Sequence, residues 1–360
     1  MPSNLAVGGQ LKNTVCLTKN DHAFLSQHIG DLENLESYRF FEDAVGHLED
    51  ILGIQPQVIA HDLHPDYFST RWALERQSTR TIGVQHHHAH IASCMADNRL
   101  EGEVIGIALD GAGYGSDGNI WGGEVLIADY QNANRAAHFE HVPMPGGEAA
   151  IREPWRMAVS YLAHNFPGDL AELDLPFLHA AGRDKVKLVL QMIDRRVNSP
   201  LTSSCGRLFD AVAALAGIRQ KIGYEAQAAI ELEMAIGGSP DESAYPFDVR
   251  NDTDGYVVGT RPLFDALLRD LRDETPIAVI STRFHNGLVE LLRELARIVR
   301  ERTGLDRVCL SGGTFNNQYL MENLCRRLRS DRFEVFTQRQ VPAGDGGISL
   351  GQAMIAAHRA

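Results

Sequence analysis

The sequence predicts an α/β protein of two lobes around a cleft, and three observations predict it. Short apolar strands alternate with amphipathic helices along nearly the whole chain. Two hairpins, one near residue 13 and one near residue 104, each head a run of strands and helices, which implies an internal duplication. A histidine cluster and glycine-rich turns stand at the carboxyl ends of strands, where open α/β sheets collect their ligands.

In chain order, Asn13–Leu17 and His22–Ser26 read as the strands of the opening hairpin around the turn Thr18–Asp21. Apolar residues at helical spacing predict a helix over Leu35–Leu52, stopped by Gly53. Gln57–Ala60 is a short buried strand, Ser69–Gln77 a helix and Arg80–Val84 a strand that delivers the histidines. Val104–Leu109 runs into the turn Asp110–Gly115 and returns as Gly122–Ala128, heading the second half. Helical patterns dominate Leu170–Ile218, with Gly206 placed before a helix whose first turn holds Asp210, and a further helix begins at Tyr224–Gln227. The polar stretch Tyr245–Val258 reads as an excursion from the core. Helices follow over Leu263–Leu271 and Phe284–Val299, then the strand Val308–Ser311, the turn Gly312–Asn317 and the helix Gln318–Leu328. The strand Phe333–Phe336, the loop Pro342–Gly347 and the helix Ile348–His358 close the chain.

Composition narrows the function classes. The chain has 360 residues, 44% hydrophobic and 22% charged, enough to bury large cores without staples. Against 34 basic residues stand 47 acidic ones, and the net charge of −13 disfavours a broad nucleic-acid surface. Five scattered cysteines without a C-x-x-C pair read as reduced core thiols. Neither a leader pattern nor a membrane span is legible, so a cytoplasmic protein is expected.

The densest chemistry lies in Gln85-His86-His87-His88-Ala89-His90. On a helix His86 and His90 fall on one face a turn apart and can aim two imidazoles at one point, half of a metal site. Asp110, at a strand end, suits a metal or Mg²⁺. Gly111 and Gly113 beside it let backbone N–H groups approach a phosphate. The turn with Gly312, Gly313, Asn316 and Asn317 stands between a strand and a helix, a nucleotide-binding geometry, because free N–H groups and the helix dipole favour a phosphate or carbonyl oxygen there. Asp210 can reach a ribose or a cap, Glu225 reads as a first-turn charge, and Arg152 and Arg156 either clamp an anion or cap a surface.

The two hairpins, the glycine turns and the returning C-terminal helix fit the actin-like, sugar-kinase-like ATPase (ASKHA) fold. The division expected is residues 1–102 with 345–360 as the first lobe and 103–344 as the second. The strings Gln85–His90, Ala108–Gly111, Arg152–Arg156, Phe284–Gly287, Ser311–Asn317 and Pro342–Gly347 resemble the C-terminal catalytic part of the HypF hydrogenase-maturation carbamoyltransferases. The resemblance implies an iron or zinc ion on His86, His90 and Asp345, with Asp110 in or next to that site. It also implies a nucleotide against Gly312, Gly313 and Asn317, with its ribose near Asp210 and Glu225. The implied reaction moves a carbamoyl group from carbamoyl adenylate, made from carbamoyl phosphate and ATP, to the C-terminal cysteine of HypE. That acceptor supplies the nucleophile, and His64, His87 and His88 are the candidate bases. Full family members carry upstream acylphosphatase, zinc-finger and adenylate-forming domains, so this chain reads as a short form or an excised module. Competing readings are the related tRNA threonylcarbamoyladenosine synthase, a small-molecule kinase of the same fold and a non-catalytic scaffold.

Overall fold

The computed structural model describes residues 3–76, 78–168, 170, 175–238, 242–253 and 255–360. The first lobe contains β1 (Asn4–Ala6), β2 (Cys16–Lys19), β3 (His22–Leu25), α1 (Leu35–Leu52), β4 (Val58–Asp62), α2 (Phe68–Glu75), β5 (Arg80–Val84) and α3 (His86–Asp97). Its sheet has the order β3-β2-β1-β4-β5. β2 runs antiparallel to β1 and β3, whereas β4 runs parallel to β1 and β5. The strand β1 precedes the expected hairpin and escapes the sequence pattern. It is three buried residues long and begins with polar Asn4, so no alternation marks it; its pairing with β4 defines it. α1 spans the predicted Leu35–Leu52, with Asn34 capping its start and Gly53 left-handed at its end. α2 ends at Glu75, and the predicted end of that helix at Gln77 lies outside the described residues.

The second lobe opens with β6 (Val104–Tyr114), β7 (Ile120–Ala128) and β8 (Ala133–Phe139). A lateral insertion follows: β9 (Val142–Pro143), α4 (Glu148–Arg152), α5 (Trp155–Asn165), α6 (Pro176–Ala181), α7 (Arg183–Asp194) and β10 (Leu201–Thr202). Next come α8 (Cys205–Leu215), α9 (Gln227–Met234), β11 (Asp248–Asp252), β12 (Gly255–Gly259), α10 (Arg261–Arg272) and α11 (Ile277–Thr303). The lobe closes with β13 (Arg307–Ser311), α12 (Gln318–Ser330), β14 (Glu334–Phe336) and α13 (Ile348–Arg359). Within its sheet the order β8-β7-β6-β13-β14, with the same parallel and antiparallel senses, repeats the first sheet strand for strand. The chain is thus a two-lobed actin-like, sugar-kinase-like fold with duplicated lobes. The stretch read as an excursion around Tyr245–Val258 instead extends this sheet, because β12 pairs in parallel with β8.

Each lobe sends its last helix onto the other lobe's sheet. α3 packs on β6, β7 and β13, while α13 packs on β1, β2 and β4, and the two helices cross between the sheets. At the crossing a Cβ on Gly351 would overlap the Ala89 carbonyl, standing 2.7 Å from its carbon and 2.9 Å from Ser93 N. Only glycine allows that approach. Side chains fix the register: Gln352 Oε1 accepts Gly8 N–H at 2.9 Å, Asn4 Nδ2 donates to Ala353 O at 3.1 Å, and Thr14 Oγ1 meets Ser349 Oγ at 2.7 Å. Replacing Gly351 with alanine is expected to cost about 1–3 kcal/mol through overpacking. By contrast, Gly46→Ala, on α1 with open space around it, is expected to add about 0.5–1 kcal/mol. Urea unfolding of the two variants, read by circular dichroism, checks both signs.

Candidate metal and nucleotide site

β5 ends at Val84, and Gln85 starts α3 by accepting His88 N–H on its side-chain oxygen at 2.8 Å. His86 through Met95 are all buried, because this helix lies between two sheets. Four histidines there must find partners inside the protein. His86 gives its Nδ1 to Asp62 Oδ2 at 2.7 Å, both side chains fully buried, so its Nε2 faces Asp110. His90, one turn on, bonds the Ala343 carbonyl, and its ring centroid lies 5.0 Å from that of His86.

Asp110 reaches the same point through a bulge. Between Leu109 and Gly113 the β6–β7 register shifts, so the strand continues to Tyr114 and the predicted turn at Asp110–Gly115 is a local kink within it. A bulge of this kind re-aims a side chain. Asp110 Oδ2 stands 3.4 Å from His86 Nε2 and 3.9 Å from His90 Nε2, and Asp345 Oδ1 stands 3.8 Å from His90 Nε2. One donor atom from each of His86, His90, Asp110 and Asp345 lies within 4.8 Å of the others. Both histidine Nε2 atoms are buried without a hydrogen-bond partner. Two imidazole nitrogens left unsatisfied by the protein itself, beside two carboxylates, fit a divalent iron or zinc ion. Gly113 makes the cluster possible, since a Cβ there would stand 2.6 Å from His86 Cδ2.

Burial disfavours a charge on His86, but Asp62 and Asp110 outweigh it and raise the ring well above its usual value. His90 moves the other way, to about 4, through burial and the charge on His86. Burial and the neighbouring Asp110 push Asp345 up to about 7. Asp110 sits well below the carboxylate range: the imidazoles of His86, His90 and His87 beside it outweigh its burial.

The N–H groups of the glycine turn are engaged within the protein. Gly312 N–H donates to Ala343 O at 2.8 Å and Gly313 N–H to Asp110 Oδ1 at 3.1 Å, so neither is a free phosphate donor. The turn orients Asp110 and ties it to the Asp345 loop. Asn317 is likewise engaged, capping Leu320 N–H at 2.8 Å and meeting His285 Nε2 through its own Nδ2 at 2.9 Å. Asn316 is exposed. Glu233 takes Tyr319 N–H at 3.0 Å, so the start of α12 is capped by side chains. Gly206 is inside α8, not before it, and its missing Cβ lets Gly111 Cα approach. Asp210 falls in the second turn of α8 rather than the first. It is 2% exposed, and its Oδ2 is ion-paired with Arg207 Nε at 2.9 Å. Glu225 precedes α9 and pairs with Lys12.

Among the candidate bases, His64 is partly buried, stacked on Tyr67 at 4.3 Å. His87 is fully buried beside Trp121, held neutral by burial and by His86, with Nε2 unpartnered. His88 is excluded because its Nε2 bonds Asp129 O at 2.6 Å. Arg152 and Arg156 pair with Glu148 and Glu153, which corresponds to the surface-cap reading. Sequence reasoning missed Asp62. Its only local signal is its position at the carboxyl end of β4.

The duplicated α/β fold that holds this cluster is that of a Kae1-like domain. Residues 106–352 match the family described as "Carbamoyltransferase, Kae1-like Domain, second subdomain", and residues 1–97 match the "HypF Kae1-like domain". The chain belongs to the HypF carbamoyltransferase family. It is 41% identical to "Carbamoyltransferase HypF2" of Cupriavidus necator, across 100% of this chain and 47% of that protein. A "Carbamoyltransferase HypF homolog" of the same organism is 37% identical, across 99% of this chain and 91% of that protein. Full-length HypF solved in a phosphate- and nucleotide-bound form superposes with a TM-score of 0.95 at 41% identity, over 99% of this chain and 46% of that one. The chain spans about half the length of most of the curated relatives it matches.

Loading the donor cluster must displace the protons held by His86 and Asp345, so zinc affinity is expected to rise as pH rises from about 6 to about 8 and to fall on acidification. Asp62→Asn is expected to weaken zinc binding about 10–100-fold by releasing the His86 ring. Competition with a chromophoric chelator measures both.

Proposed function

We propose that this chain is the carbamoyl-transfer module of a HypF-type enzyme. It moves the carbamoyl group of carbamoyl adenylate, formed from carbamoyl phosphate and ATP, to the C-terminal cysteine of HypE. The thiolate sulfur bonds the carbamoyl carbon, the bond from that carbon to the phosphate oxygen breaks, and AMP leaves with the electron pair. The product is a thiocarbamate. The observation that carries this reading is the buried meeting of His86, His90, Asp110 and Asp345 between the lobes of a HypF-family chain. In this reading residues 1–102, joined by 345–360 where α13 returns onto the first lobe's sheet, form one wall of the cleft and 103–344 the other.

A divalent iron or zinc ion on those four residues would supply a Lewis acid toward a phosphate or carbonyl oxygen, with Mg²⁺ as a further nucleotide-bound cation. The chain's own residues do the rest. Asp62 and Gly313 hold the donors in place through His86 and Asp110. Asp210, ion-paired with Arg207, and Glu225, paired with Lys12, are the carboxylates this reading assigns to ribose hydroxyls. Gly111 leaves open space where a nucleotide can approach the backbone. His64 and His87, neutral near pH 7 through burial, are able to take the thiol proton. The five cysteines are buried, consistent with a nucleophile supplied by the partner. Among the described residues no helix is long and apolar enough to cross a membrane, and the reading places the reaction in the cytoplasm.

Incubation of the chain with HypE, carbamoyl phosphate, ATP and a separate adenylate-forming domain is expected to add one carbamoyl mass to HypE, seen by intact mass spectrometry. The double variant His86→Ala, His90→Ala is expected to slow that gain by about 100-fold or more. Full activity in the double variant would remove the donor cluster from the reaction, and no gain with the unaltered chain would remove the transferase reading.

A further inference from the structure

The turn between β4 and α2 carries a phenol that none of the roles above uses. Asp62, whose Oδ2 holds His86, accepts the His64 N–H on its Oδ1 at 2.9 Å, so one carboxylate positions both a donor and this turn. Asp66 N–H meets His64 Nδ1 at 3.2 Å, and the His64 ring lies flat on Tyr67, centroids 4.3 Å apart and planes 3° from parallel. Tyr114, at the end of β6 on the other lobe, meets His64 edge to face at 5.2 Å, and Gln85 Nε2 donates to the Tyr114 carbonyl at 3.1 Å. On the far side of Tyr67 the chain is braced as well. Phe68 N–H donates to Gln10 Oε1 at 2.8 Å, and Ser69 Oγ reaches the Gly9 carbonyl at 3.3 Å. A Cβ on Gly9 would stand 3.8 Å from Asp345 Oδ2, so Tyr67 is fixed beside the Asp345 loop.

The half-buried Tyr67 has Asp62, Asp345 and Asp110 within electrostatic reach, and among the described residues its hydroxyl makes no hydrogen bond to the protein. Packing does not require that oxygen, because a phenylalanine would stack on His64 equally well. A phenol held rigid and bonded to nothing in the protein is placed to donate to an oxygen brought in from outside. The transfer reaction supplies such an oxygen. As the thiolate sulfur bonds the carbamoyl carbon, the carbonyl electron pair moves onto the carbonyl oxygen, and it returns when AMP leaves. Carboxylates nearby would oppose that charge, whereas a neutral donor fixed in advance favours it and keeps its own proton throughout.

We propose that Tyr67 is a catalytic residue of the cleft, its hydroxyl donating to the carbonyl oxygen of the carbamoyl group while the thiolate attacks. His64 and Tyr114 form the stack, shared by both lobes, that keeps the phenol in place. This rests on the transfer reading of the proposed function and adds to it the side chain that holds the carbonyl oxygen.

The test pairs AMP with adenosine 5′-(carbamoylmethyl)phosphonate, a carbamoyl adenylate analogue in which a methylene replaces the oxygen between phosphorus and the carbamoyl carbon, so that no transfer occurs. Calorimetric titration of the zinc-loaded chain and of Tyr67→Phe gives the ratio of the two affinities, from which general damage to the site cancels. Tyr67→Phe is expected to lower the preference for the analogue about fivefold while leaving AMP affinity unchanged. It is also expected to slow carbamoylation of HypE at saturating carbamoyl adenylate about 100-fold. Tyr67→3-fluorotyrosine, a more acidic phenol of nearly the same shape, is expected to keep or raise the ratio. An unchanged ratio in Tyr67→Phe, or an equal loss of both ligands, overturns the proposal while the transfer reading stands. A fall of the ratio in the fluorinated variant overturns it too, and decides alone if Tyr67→Phe does not fold. Absence of transfer by the unaltered chain overturns both readings.

Discussion

The contact between α3 and α13, closed to van der Waals distance by the absence of a side chain at Gly351, is the constraint on which the rest of the structure depends. α3 carries His86 and His90; α13 follows directly on Asp345. Neither helix stays on its own sheet, so the crossing fixes both lobes at once and brings donors some 250 residues apart to within 4.8 Å. A methyl group at that point would separate the helices and with them the donors. Packing here sets coordination geometry directly.

The second constraint is electrostatic. Burying two carboxylates and two imidazoles at one point is costly unless charges pair, and the fold pairs them in layers. Asp62 holds His86 from behind, Gly313 N–H holds Asp110, and the Ala343 carbonyl holds His90. Each contact satisfies the far side of a donor and leaves its near side free. This is the outer-shell arrangement that metal sites use to fix tautomer and direction. It also explains why the Gly312–Gly313 turn, which has the look of a phosphate cradle, is turned inward: its N–H groups serve the donor cluster.

The two halves of the cleft are chemically unlike although topologically alike. The first lobe supplies imidazoles and a lysine, and the second supplies a bulged aspartate and the glycine turn. The same strand order therefore builds two walls that complement each other, and the Lys12–Glu225 pair joins them at the rim. The joining contact is exposed, while the contacts at the base are buried.

Much of this was legible in the residues themselves. Helical periodicity and Gly53 located α1 to the residue, β5 was bounded correctly, and the spacing of His86 and His90 placed two imidazoles on one face. These are local signals, carried by neighbours within one turn or one strand. Local pattern did not reveal the three-residue strand β1, the continuation of β6 through Asp110, or Asp62 behind His86. Nor did it show that the Gly312 and Gly313 N–H groups are engaged. Each of those depends on a partner far away in the sequence: a parallel strand, a register shift, a buried ring, a carbonyl on another loop. The sequence by itself determined most of the elements and the shared face of His86 and His90, with Asp110 and Asp345 reached by strand-end position and family resemblance. Only the tertiary structure decided which side of each donor is free, because that is set by contacts across the helix crossing and not by spacing along the chain.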